Sequence, residues 1–199
     1  MRELVIVSPL SKLPKTIGQL KHLQLLVIGR SNLKVLPEEF CYMRSLKRLE
    51  LTNCLELKVL PDSFGYLVNL EHIDLSGSVS LEGLPNSFGD LSRLKYLDLE
   101  LCSHLSISDE TLGNIRTLEY IDLSCCSKIK VLPPQVAHQR SLEKLYCPFL
   151  EMFPSPLGRN LKQLILHNCT KEFKCLPISV GLLTKLTVKN CPLSDVGKM

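Results

Sequence analysis

The stretch Leu70-Glu-His-Ile73-Asp-Leu75 returns 24 residues later as Leu94-Lys-Tyr-Leu97-Asp-Leu99, and again as Leu118-Glu-Tyr-Ile121-Asp-Leu123. Its apolar residues stand at offsets 0, 3 and 5. The alternation over offsets 2 to 5 is the period-two signature of a strand with one buried face. Taking the first leucine of each unit, the series runs Leu23, Leu46, Leu70, Leu94, Leu118, Leu142, Leu161 and Leu183. By subtraction the steps are 23, 24, 24, 24, 24, 19 and 22 residues. One such unit cannot bury its apolar face alone. Stacked copies can, and each then packs only on its neighbours.

A small residue follows three positions after the last leucine of most units: Ser31, Cys54, Ser78, Cys102, Cys126, Cys169 and Cys191. That completes L-x-x-L-x-L-x-x-N/C-x-L, the leucine-rich-repeat signature, at a period inside its range of roughly 20–29 residues. The expected fold class is an α/β solenoid, a leucine-rich-repeat horseshoe with a parallel concave β-sheet and an irregular or short-helical convex side. Strands are predicted near 23–28, 46–51, 70–75, 94–99, 118–123, 142–147, 161–166 and 183–188. After each strand the chain turns inward at the Cys/Ser position. It then returns along the convex side through Leu36-Pro37, Leu60-Pro61, Leu84-Pro85, Leu132-Pro133 and Leu176-Pro177. Proline suits this return because it fixes φ and needs no donor. Phe40, Phe64, Phe88, Val136 and Val180 are expected to plug the convex side, with Gly65, Gly89, Gly113 and Gly181 at the next position for a compact bend.

Two units depart from the pattern. In the one starting at Leu94, Ser108-Asp109-Glu110 replaces Leu-Pro, and Ser108 is placed to cap a short helix with two acids in its first turn. The unit starting at Leu142 is compressed, with Phe153-Pro154 three residues early and Pro156-Leu157-Gly158 behind it; a change of curvature is expected there. A partial repeat opens the chain at Leu4-Val5-Ile6, and the sequence stops at Cys191-Pro192-Leu193 before any convex return. Neither end offers a polar capping unit of the kind a solenoid needs. The expectation is one repeat domain over residues 1–199, about eight repeats plus a partial first one, cut from a longer chain.

Composition narrows the function classes. The net charge of +4, from 24 basic and 20 acidic residues, comes without a Lys/Arg run longer than two, which argues against nucleic acid. No stretch approaches the ~18 consecutive apolar residues of a membrane span. Of the nine cysteines, Cys54, Cys102, Cys126, Cys169 and Cys191 share one repeat position. They are expected as buried, reduced, unmetallated thiols meeting loop backbone groups, a ladder that fits a reducing compartment and a cytoplasmic protein. There is no C-x-x-C zinc spacing, no histidine pair at helical zinc spacing, and no phosphate-cradling G-x-x-x-x-G-K-[ST] or G-x-G-x-x-G. No cofactor is expected.

The units Leu70–Gly89 and Leu118–Pro133, with their wording Leu-Ser-x-Cys/Ser-x-x-Leu/Ile-x-x-Leu-Pro, resemble repeats of plant intracellular nucleotide-binding leucine-rich-repeat immune receptors, the disease-resistance proteins. The resemblance runs over essentially all of the chain but covers the repeat region alone. It implies sensing of pathogen effectors or host proteins, and restraint of a nucleotide-binding switch carried elsewhere in such a receptor. A cytosolic repeat scaffold in signalling is the alternative. The sequon Asn168-Cys169-Thr170 overlaps the repeat's Cys position and is read as accidental.

Outward positions should stack into columns across the concave face. Offset 2 reads Leu25, Arg48, His72, Tyr96, Tyr120, Lys144, Gln163, Lys185; offset 4 reads Val27, Glu50, Asp74, Asp98, Asp122, Tyr146, Ile165, Thr187. The candidate protein-binding patch is Arg48, Glu50, His72, Asp74, Tyr96, Asp98, Tyr120 and Asp122. Its aromatic residues would supply burial and its acids would suit a basic partner. A flanking apolar group, Leu25, Val27, Leu101, Tyr146 and Ile165, is also expected to point outward. The chain is expected to act as a monomer with a protein partner and no membrane or nucleic acid. Catalysis finds little support, because nothing in the sequence signals the burial that would raise one acid's pKa, and Cys125 lacks an arranged base.

Overall fold

The computed structural model describes residues 1–108, 111–112, 114–137, 139–152, 158–171, 173 and 183–191. Nine strands form one parallel sheet in sequence order: β1 (Glu3–Val7), β2 (Leu25–Gly29), β3 (Arg48–Thr52), β4 (His72–Asp74), β5 (Tyr96–Asp98), β6 (Tyr120–Asp122), β7 (Lys144–Pro148), β8 (Gln163–His167) and β9 (Lys185–Lys189). Every strand pairs only with its sequence neighbours, as a solenoid requires. The partial first repeat contributes β1, paired Glu3 to Leu25 through Val7 to Gly29.

The strands begin two residues later than the leucine pattern predicts. The cause is a shared acceptor at the strand entrance. The N–H groups of Glu71 and His72 both donate to the Lys47 carbonyl, and those of Lys95 and Tyr96 both donate to Glu71. The offset-0 leucine thus lies below the ladder, still buried from Leu23 to Leu161 and partly buried at Leu183. Offsets 3 and 5 behave as expected, with Ile73, Leu97, Ile121, Leu75, Leu99 and Leu123 all at 0% exposure. Leucines from every coil merge into one continuous core.

Beyond each strand from β2 to β9 the chain turns at offset 7 through a left-handed residue. Arg30, Asn53, Gly77, Leu101, Cys125, Phe149, Asn168 and Asn190 have φ between 53° and 73°. The next side chain, at offset 8, then points inward. Ser78 Oγ donates to the Leu51 carbonyl (3.1 Å), Cys102 Sγ to Leu75 (3.3 Å) and Cys126 Sγ to Leu99 (3.0 Å). Each therefore ties its coil to the offset-5 carbonyl of the coil before. Cys54, Cys102 and Cys126 are buried free thiols, as expected, and burial pushes the Cys102 thiol up to about 12. Cys169 and Cys191 overturn the expectation of five free thiols. They are bonded to each other as a disulfide across adjacent coils, with Cα atoms 4.6 Å apart.

Among the described residues the convex return carries 3-10 turns at Lys15–Gln19, Glu38–Tyr42, Phe64–Tyr66 and Asn86–Asp90, and a one-turn α-helix at Pro134–Ala137. The Pro-x-x-Phe spacing has a direct cause. The N–H of Phe40, Phe64 and Phe88 donates to the carbonyl of Pro37, Pro61 and Pro85, at 2.9, 3.0 and 2.9 Å. Those turns aim the three rings inward. They stack at 6.4 and 5.7 Å between centroids, nearly parallel, and are fully buried. Gly65 serves close approach rather than a bend: a Cβ there would run into the Ser87 carbonyl of the next coil. Ser108 receives the Thr111 N–H at its carbonyl and bonds the Thr111 hydroxyl at 2.6 Å, with residues 111–112 helical. Asp109, Glu110, Gly113, His138, Phe153, Pro154, Pro156, Leu157, Leu176, Pro177, Val180, Gly181, Pro192 and Leu193 lie outside the described residues. On the sheet side, the compressed unit keeps full register, Lys144 to Gln163 through Pro148 to His167.

Candidate protein-binding surface

Parallel pairing without slippage turns the repeat into columns. His72 faces Tyr96, Tyr96 faces Tyr120, and Tyr120 faces Lys144, while Asp74, Asp98, Asp122 and Tyr146 form the next column. The structure thus brings all eight expected residues, Arg48 to Asp122, onto the solvent side of four adjacent strands, β3 to β6.

The rings do more than share a face. His72 and Tyr96 stack with centroids 4.1 Å apart and 8° between planes; Tyr96 and Tyr120 stack at 4.3 Å and 8°. Strand spacing of ~4.8 Å sets that distance almost by itself. Tyr146 joins from the neighbouring column, tilted 43° against Tyr120 at 5.4 Å. The sequence grouped it with the flanking apolar residues, since its offset differs from that of the other rings. Of that flanking group, Leu101 is exposed and Leu25, Val27, Tyr146 and Ile165 are half-buried. All three rings of the ladder are half-buried as well. Burial raises the Tyr96 hydroxyl to about 12 and pushes Tyr120 higher still, with the adjacent Asp98 and Asp122 charges adding to the effect. Burial lowers the His72 pKa, assisted by the Arg48 charge.

The acids are less free than a bare charge column suggests. Tyr96 Oη donates to Asp98 Oδ2 (3.3 Å) and Tyr120 Oη to Asp122 Oδ2 (3.1 Å). The other oxygen of each acid takes the backbone N–H two residues on, Glu100 for Asp98 (2.9 Å) and Ser124 for Asp122 (2.7 Å). Tyr-x-Asp is therefore a closed clamp. Its sequence signal was present, because two residues apart on a strand means one face. Asp122 is 7% exposed, so this member of the patch offers little surface to a partner. Asp98 also corrects the reading that no acid here is buried enough to shift. Burial lifts its carboxyl to about 6, with Asp122 and Asp74 adding repulsion against the pull of the Glu100 N–H. Arg48 and Glu50 bond each other, Nε to Oε1 at 2.6 Å, and so largely neutralise that end. Asp74 differs. Its Oδ1 accepts the Ser76 N–H at 2.9 Å, but its strand carries His72 where the clamp has tyrosine.

Among the described residues no group of His, Cys, Asp and Glu is arranged to hold a metal ion. Cys125 is exposed, one residue from the buried Cys126.

Residues 44–105 match the family described as leucine rich repeat. No curated protein matches the chain in sequence. Among solved structures, the leucine-rich-repeat domain of the type III effector XopL aligns over 95% of this chain and 69% of its own, with TM-score 0.79 and 23% identity. A leucine-rich-repeat protein of Leptospira interrogans aligns over 92% of this chain and 59% of its own, with TM-score 0.66 and 27% identity. This chain thus spans about two thirds of the first and under two thirds of the second. Repeat wording, strand register and structural likeness together make this chain a leucine-rich-repeat solenoid.

Proposed function

We propose that the chain is a protein-recognition module whose contact surface is the solvent face of β3 to β6, within a plant intracellular immune receptor. In that setting it senses pathogen effectors or host proteins and helps restrain a nucleotide-binding switch, in the cytoplasm. The observation that carries the recognition reading is the His72–Tyr96–Tyr120 ladder. Three rings pre-stacked on rigid strands lose little conformational freedom on binding, and tyrosine is enriched at interface hot spots. The repeat wording supports the immune setting; the buried unbridged thiols Cys54, Cys102 and Cys126 support a reducing compartment, and the Cys169–Cys191 disulfide counts against it.

The test is affinity capture from leaf extract with the chain and with its Tyr96→Ala, Tyr120→Ala double variant, read by quantitative mass spectrometry. The expected result is a set of proteins depleted at least tenfold on the variant, about 1.4 kcal/mol or more, with a nucleotide-binding domain or an effector target among them. Equal capture by both proteins would move the contact surface off this face. Depletion of signalling proteins with no nucleotide-binding domain among them would favour a scaffold.

A further inference from the structure

We infer that the sheet face selects an extended protein segment through one basic side chain, and that His72 and Asp74 on β4 form the point where it docks. This rests on the proposed use of that face and specifies what it selects.

The inference starts from an uneven distribution of partners along a column that looks uniform in sequence. Glu50 is paired with Arg48. Asp98 and Asp122 each spend one oxygen on a backbone N–H and the other on a tyrosine hydroxyl. Asp74 has the same backbone bond, from Ser76. Where the next two strands place tyrosine, β4 places His72, whose ring leans flat against Tyr96 and bonds nothing on Asp74. Among the described residues Asp74 Oδ2 has no hydrogen-bond partner, and Asp74 is half-buried like the rings beside it. It is thus the carboxylate of the three aspartates with an oxygen left to offer.

Charge points the same way. Asp74, Asp98 and Asp122 lie side by side on paired strands, where like charges repel. Of the basic side chains flanking this group, Arg48 on β3 is already committed to Glu50, and Lys144 on β7 stands beside Tyr120 at the far end, three strands from Asp74. Burial first, and then repulsion from Asp122 and Asp74, raises the Asp98 carboxyl to about 6. An arginine or lysine arriving at Asp74 Oδ2 supplies a counter-charge, with its aliphatic stem lying along the His72 and Tyr96 ring edges. Such a charge-assisted bond is about twice as strong as a neutral one. The half-buried ladder beside it gives an extended backbone a firm ridge across three strands.

The probe is a phage-displayed library of random linear peptides, panned on the whole chain, with the selected peptides then measured by titration. Peptides enriched in arginine or lysine should bind Asp74→Asn about tenfold more weakly, a change expected for a lost bond to a charged group. They should bind Asp98→Asn and Asp122→Asn within about threefold of the parent. Replacing the selected basic residue by norleucine should lose the same factor on the parent and nothing further on Asp74→Asn. Selected peptides without a basic residue, or equal losses at all three aspartates, would overturn the inference. If binding falls on Tyr96→Ala but not on Asp74→Asn, the face is the contact surface and the docking point is wrong. If neither variant changes binding, both readings fail. Circular dichroism of each variant separates these outcomes from misfolding.

Discussion

Leu101 holds a backbone conformation that its side chain disfavours. At φ 63° it stands where Asn53, Gly77, Asn168 and Asn190 stand in other repeats, and half its side chain gains nothing from burial, at 46% exposure. The left-handed region costs a branched residue roughly 1 kcal/mol that asparagine largely avoids. Leu101→Asn should therefore raise the urea midpoint by an equivalent of about 0.5–1 kcal/mol with an unchanged slope; a lower midpoint would mean that Leu101 makes contacts worth more than the strain. Asp98 gives a second prediction at this scale. Its folded pKa of about 6 lies above the unfolded value, so the fold binds that proton more tightly than the open chain. Its contribution is most favourable below about pH 4 and is lost as pH rises through 6. Asp98→Asn removes this dependence. Relative to the parent, the variant should gain roughly 1–2 kcal/mol between pH 4 and pH 8, after allowing for solvent screening of a half-buried group. Thermal melts of the two proteins across that range measure it. Cysteine reactivity separates by position: Cys125 is exposed, while Cys54, Cys102 and Cys126 are sealed beneath the turns with their thiols pushed up by burial. Iodoacetamide should label Cys125 in the native protein and reach the other three only after denaturation.

At the scale of the element, the unit of construction is a coil closed by three small devices. A left-handed residue turns the chain, an inward Ser or Cys binds the previous coil's carbonyl, and a proline carbonyl receives the N–H of the aromatic plug. The plug dominates energetically. Phe64 is fully buried between Phe40 and Phe88, so Phe64→Ala opens a cavity with neighbours on both sides. The cost should be ~3–5 kcal/mol in a denaturant titration. Cys102→Ser should cost far less, since Ser78 already makes the equivalent bond at 3.1 Å; Cys102→Val loses that bond and should cost about 1 kcal/mol. Exposed inter-coil ion pairs such as Lys58–Glu82 and Lys95–Glu119 stagger down the sides of the stack. Being solvent-exposed, they add little to these totals.

At the scale of the whole molecule, strand pairing among the described residues runs between successive coils, so damage should spread by adjacency. Phe64→Ala should speed amide exchange first in β3, β4 and β5, leaving β8 closer to the parent rate. Uniform acceleration over all nine strands would show that the solenoid opens as one cooperative unit instead. The same linear architecture explains why the candidate surface is continuous. Four strands of equal spacing, joined by coils of 24 residues where they matter most, carry their outward side chains into straight columns.

Leucine spacing in the sequence was enough to determine the parallel order, the buried offsets, the inward Ser/Cys position and the membership of both outward columns, because each follows from a repeat of nearly fixed length. The Phe plugs were legible for the same reason. Tertiary structure decided what the columns do with their polar atoms. Whether an aspartate is a free charge or half of a clamp depends on the side chain two residues before it and on how deeply neighbouring strands bury both, which is why Asp74 and Asp122 read alike in sequence and differ in the fold. It also decided the cysteines. Cys126 and Cys169 share a repeat position, yet only in three dimensions does Cys191 come close enough to bond one of them and leave the other a free thiol.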